Sequence, residues 1–281
     1  MSFYAVALAP SVAQWTTDSA RPFAFSLVFS LGIGMGIVSS LIGGHLPAIL
    51  SLRKALLLAC AIAALASLVV SRLKAGEAPP NSTNIYPRNR FVHRFLTAMF
   101  LWSLATGCFN PFFSAYFSQT LHFRVDQIGF VAAAGQAVQV AAILCAPLLL
   151  NRFGVIAGVM SMQMATGLAL ALLSSGATGW IAAALYAFYM GFQYMSEPGT
   201  YSLLMDEVAP HERGGGAALN FLVVSGTQAL AALAAGFAIK SVGYTVVLVC
   251  AALLAVGAAM AFRSVRAVSV PTISVASGAQ E

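Results

Sequence analysis

From Phe153 to Ser196 the chain runs for 44 residues without one formal charge. A helix rises about 1.5 Å per residue and needs roughly 20 apolar residues to cross a bilayer core. The run is therefore too long for one crossing, and it divides at the turn-forming stretch Ser174-Ser175-Gly176-Ala177-Thr178-Gly179. A second run, between Arg21 and Arg53, holds 31 uncharged residues. Only 8% of the chain is charged and 60% is hydrophobic, against about 25% charged in an ordinary soluble domain. The sequence reads as an all-α polytopic membrane protein whose first partner is the lipid bilayer.

Eight spans are expected: 21–53, 55–71, 95–119, 128–150, 155–174, 180–206, 214–239 and 244–263. Residues 1–10 are apolar but too short to span, and read as the end of a further helix. Residues 73–94 carry Glu77, Pro79, Pro80, Arg88, Arg90 and Arg94 and read as a linker; 264–281 reads as a disordered tail. In the first span Gly32, Gly36, Ser40 and Gly44 recur every four residues, a stripe that lets helices approach closely. Cys60, Cys108, Cys145 and Cys250 lie singly in apolar runs, as small hydrophobes do, so no metal site or cofactor is expected. No paired acids or Ser/His/Asp set falls within a span, which argues against an enzyme.

Threading eight spans alternately places Arg53, Lys54, Arg124 and Lys240 on one side and the rest of the 14 Lys and Arg on the side of the linker. The positive-inside rule puts the linker and C-terminus in the cytosol of a cell-membrane (plasma or inner-membrane) protein. Topology thus accounts for the net charge of +6 without a nucleic-acid partner.

Within the sixth span stands Glu197, followed by Pro198 and Gly199; no other acid lies deep in an apolar run. A carboxyl group in hydrocarbon costs several kcal/mol and turns to a bundle interior or wet cavity. Pro198 lacks an N–H and frees the carbonyl of Tyr194, so the span reads as an interrupted, cavity-lining helix. Tyr186, Gln193 and Glu197 share one face, flanked by Tyr189 and Tyr201. Trp102, Thr106 and Asn110 line one face of the third span, Gln136 and Gln139 lie a turn apart on the fourth, and Asn220 is on the seventh. These are the substrate-cavity candidates, with Glu197 as the coupling or gating candidate. For each amide a helix–helix hydrogen bond is the competing role, and for Glu197 it is a structural lock.

The third to fifth and sixth to eighth spans form two units in register. Asn110-Pro111 corresponds to Glu197-Pro198, Tyr116 to Tyr201, and Arg152-Phe153-Gly154 to Lys240 through Gly243. Three spans per unit make the units inverted, a transporter architecture with sites near the repeat interface. Three stretches carry a family resemblance. Asn151, Arg152 and Gly154 after Pro147 resemble a degenerate Gly-x-x-x-Asp-Arg-x-Gly loop. Gly107-Cys-Phe-Asn110-Pro111-Phe-Phe-Ser-Ala-Tyr116 looks like a seventh helix, and Val208-Ala-Pro210-His-Glu212-Arg213-Gly214 like a tenth-to-eleventh loop, of the major facilitator superfamily of secondary transporters.

The resemblance implies residues 1–72 as a remnant of an N-terminal bundle with two full transmembrane helices, and 95–263 as a complete C-terminal six-helix bundle. The implied function is alternating-access transport of an unidentified small organic solute by a partial permease, with protons as the candidate coupling ion. The competing expectation is a non-transporting membrane fragment.

Overall fold

The computed structural model describes residues 2–49, 51–71 and 86–265, all of it helix and connecting turn. The helices are α1 (Ser2–Trp15), α2 (Arg21–Ile49), α3 (Leu52–Ser71), α4 (Arg90–Gly107), α5 (Phe113–Gln119), α6 (Val125–Phe153), α7 (Val155–Ser174), α8 (Gly179–Met195), α9 (Glu197–Glu207) and α10 (Arg213–Val265). The eight expected spans correspond to α2, α3, α4 with α5, α6, α7, α8 with α9, and the two limbs of α10. Five described segments are long and apolar enough to cross a membrane, and one of these, Pro210–Val265, holds both limbs of α10. Most of the expected linker, 73–85, and all but the first two residues of the expected tail lie outside the described residues.

The linker's last turn is already helix. Asn89 Oδ1 accepts the Val92 backbone N–H at 2.8 Å, an N-cap that starts α4 at Arg90, and Phe91 and Val92 are buried. The two repeat units also match in backbone. Gly154, between α6 and α7, has φ 79° and ψ 158°. Gly243, between the limbs of α10, has φ 82° and ψ 175°. A side chain disfavours this region, so the same glycine-dependent corner recurs at the same place in each unit.

Burial is reversed relative to a water-soluble bundle. Leu222, Leu230, Leu233 and Phe237 of α10 point outward, while Ala231, Ala235, Ala251, Ala255, Ala258 and Ala259 are buried. Small buried residues bring backbones close, and contact between them holds helices together in lipid. The closest approach to a neighbouring backbone among the described glycines is at Gly107, where a Cβ would stand 2.8 Å from Gln228 Cα and 2.9 Å from Ala231 Cβ. The glycine stripe of α2 works differently at its described end: a Cβ on Gly32 would meet nothing within 4 Å, and Gly32 lines a cavity. The surroundings of Ser40 and Gly44 lie outside the description.

The pieces from either side of the linker meet along two seams. Helix α1 lies against α10, and α2 lies against α6 and α9. At the second seam Phe25 and Phe29 of α2 pack on Tyr201 of α9, with ring centroids 5.9 and 5.3 Å apart.

Candidate functional site

The site sits at the break between α8 and α9. Pro198 occupies the first turn of α9, where a missing N–H is tolerated. Ser196 keeps a right-handed backbone (φ −75°, ψ −21°), so the break interrupts hydrogen bonding without turning the helix. Two hydroxyls reinforce it: Ser196 Oγ donates to the Gln193 carbonyl and Thr200 Oγ1 to the Ser196 carbonyl, each at 2.8 Å.

Two cavities meet at Glu197 and Tyr201. One, of about 250 Å³, opens toward α1 and α2 and is lined by Leu8, Val28, Phe29 and Gly32 on that side and by Tyr194 on the other. The second, about 40 Å³, reaches toward α4 and α10. Its lining includes Trp102, Thr106, Gln193, Asn220 and Gln228. Gln193 and Asn220 are 4% and 1% exposed, and Gln193 Oε1 and Asn220 Oδ1 have no hydrogen-bond partner. Gln228 Nε2 reaches Thr106 Oγ1 at 3.4 Å. Glu197 is partly buried.

The structure therefore brings five sequence candidates together, Trp102, Thr106, Gln193, Asn220 and Glu197, and adds Gln228 and Thr200. The others lie elsewhere. Tyr189 is fully buried and its hydroxyl donates to Asn110 Oδ1 at 2.6 Å, which ties α8 to the break after α4. Tyr186 stacks on Phe113, with centroids 5.0 Å apart, inside an aromatic cluster with Phe109 and Phe117. Gln139 is buried and Gln136 half-buried on α6, and neither lines the two cavities. In the loop-motif remnant Asn151 and Arg152 are exposed, Arg152 lies over the Phe153 ring at 5.6 Å, and Gly154 makes the corner.

One feature of the site has no place in the sequence reading. Arg21, at the start of α2, is 2% exposed and forms ion pairs with Asp206 of α9 and, at 2.8 Å, with Asp18. Its guanidinium also reaches the carbonyls of Ala13 and Thr16 at 3.5 Å each. Ser202 Oγ donates to Asp206 Oδ2 at 3.3 Å, and Arg213 Nε to the Met205 carbonyl at 2.9 Å. A signal was present: an arginine beginning a helix and an aspartate in the last turn of another each oppose the local helix dipole. Two such residues are better satisfied by each other than by their own helices. The pair closes the α2–α9 seam below the cavity, toward the end of the bundle where Arg94 Nη1 donates to the Ser264 carbonyl at 2.7 Å.

An all-helical bundle with five described segments long and apolar enough to cross a membrane is the fold of a multi-pass helical membrane protein. The chain belongs to the Major Facilitator Superfamily, whose sequence model matches residues 95–281. Its fold is similar to that of the E. coli fucose:proton symporter (TM-score 0.74, 14% identity, 93% of this chain and 73% of the other). It is also similar to a bacterial homologue of the iron transporter ferroportin in its outward-facing state (TM-score 0.72, 14% identity, 92% and 66%). This chain thus spans about two-thirds of the length of the latter. At this identity the likeness is one of fold. No curated protein matches the sequence.

Proposed function

We propose that the protein carries a small organic solute across the cell membrane by alternating access, with the Glu197 cavity as its binding site. The observation that carries this reading is the position of the cavity. It lies in the seam between α1–α2 and the C-terminal bundle, with the Arg21–Asp206 pair closing one end of the same seam. A buried ion pair suits a reversible latch, because desolvation offsets much of its attraction and opening to water restores hydration to both charges. The linker side, where this pair lies, is assigned to the cytosol from the charge distribution.

Glu197 is proposed as the coupling residue, with protons as the coupling ion. The titratable side chains near it are Tyr194 and Tyr201. The lining contributed by α1, α2, α4 and α10 carries none: Leu8, Ala9, Val28, Phe29, Gly32 and Ile33 on one side, Met99, Trp102, Thr106, Asn220, Val224 and Gln228 on the other. In an active Glu197→Gln variant the pH dependence of transport should flatten; an unchanged profile removes the proton role.

The alternating-access reading is tested by sided labelling. Val28→Cys is placed in a chain whose four native cysteines are replaced, and a membrane-impermeant maleimide is applied from either face. Labelling is expected from the outer face in the parent and from both faces after Arg21→Gln. Reaction from one unchanged face in both proteins contradicts it.

A further inference from the structure

Resting on the transport reading, we infer that the cavity at the α8–α9 break selects an organic cation, an amine or similar nitrogen cation on a small apolar or aromatic body. Glu197 is the one formally charged residue in either lining, and no Lys, Arg or His joins it. Among the described residues Glu197 forms no ion pair; the acids paired with Arg21 are Asp18 and Asp206. A carboxylate in such surroundings is costly without a counter-charge.

The neighbouring amides point the same way. Gln193 Oε1 and Asn220 Oδ1 are buried acceptors without donors, in the same small cavity as the carboxylate. A buried acceptor left unpaired costs about 1–3 kcal/mol. Three acceptor-bearing side chains thus surround one space, and a ligand that brings N–H donors with a positive charge serves all three.

Phe29, Tyr194 and Tyr201 line the larger cavity beside Glu197, and aromatic faces attract cations. A volume of about 250 Å³ limits the ligand to a small body. A metal ion fits poorly, since it wants several ligating groups. No group of three His, Cys, Asp or Glu comes together among the described residues.

The test is a charge series on the purified full chain in lipid nanodiscs, read by isothermal titration calorimetry with empty nanodiscs subtracted. The probes share one ring: 2-phenylethylamine, neutral 2-phenylethanol and anionic 3-phenylpropionate. The amine is expected to bind tightest. Glu197→Gln should weaken it by on the order of thirtyfold or more, as for loss of one partner of a buried charge pair, and Glu197→Asp should restore its preference over the alcohol. If Glu197→Gln fails to fold, the ranking on the parent chain still decides.

Equal binding of alcohol and amine, tighter binding of the anion, or no binding of any probe overturns the cation assignment. Each leaves sided labelling at position 28 to judge the transport reading separately. Amine selectivity without a change of labelled face overturns transport and leaves the cation site standing.

Discussion

The two inverted units break their leading helices at corresponding positions, yet the breaks have opposite surroundings. After α4 the chain passes through a 3-10 turn at Asn110–Phe112, and the break is filled. Tyr189 holds Asn110, and Phe109 packs edge-on against Tyr116 and Tyr189, with centroids 5.7 and 5.5 Å apart. Between α8 and α9 the break is left open. Glu197 has no ion-pair partner there, and Gln193 and Asn220 hold unpaired oxygens beside a cavity. One copy of the motif is a packed joint and the other keeps unspent hydrogen-bonding capacity, which the proposed ligand would use. A proline beside a polar residue in a membrane helix thus shows where regular hydrogen bonding stops, and the surrounding side chains decide the use.

Substitutions can break that comparison. The largest effect is expected at the latch, where Arg21→Gln strands Asp206. Loss of one partner of a buried pair costs about 3–5 kcal/mol, reduced here because Asp206 is 28% exposed. The readout is the fraction of protein labelled from the cytosolic face at Val28→Cys. Next, Glu197→Gln should lower amine affinity as above while leaving the melting temperature unchanged or raised, since it removes an uncompensated carboxylate. A clear loss of stability would make Glu197 a structural lock instead.

At the filled break the pattern should invert. Gly107→Ala drives a Cβ against the α10 backbone and should cost about 1–3 kcal/mol, as overpacking does, measured by thermal unfolding in detergent. The smallest effect is Tyr189→Phe, about 1 kcal/mol for one interhelical hydrogen bond. Amine affinity should not change in Tyr189→Phe, whose hydroxyl faces Asn110 and not the cavity. A Tyr189→Phe protein that loses amine binding at unchanged stability would place the working site at the first break.

Much of this was legible in the residues. Uncharged runs fixed the spans, and Glu197 was visible because an acid in hydrocarbon demands an explanation. The correspondence of Gly154 with Gly243 could be aligned by spacing, while their shared left-handed corner required the backbone. The cavity lining is less legible in the residues. Tyr186 and Tyr189 lie on the helix face of Gln193, but periodicity gives a direction from the axis and says nothing of the neighbour's size. Phe109, Phe113 and Phe117 fill the space before those tyrosines. Arg21 and Asp206 are 185 positions apart in a charge-poor chain and read as ordinary span boundaries. Their pairing is a tertiary fact, hinted at only by their unfavourable helix ends.

Transport as proposed requires the α2–α9 seam to open and close at its Arg21–Asp206 end. It is tested most directly by pulsed electron paramagnetic resonance between spin labels at Thr17 and His211, both exposed and on opposite sides of that seam. One short distance is expected in the otherwise unaltered protein, and a second, longer population after Arg21→Gln. A single unchanged distribution in both proteins would mean the seam is a fixed contact, and would overturn the proposed latch.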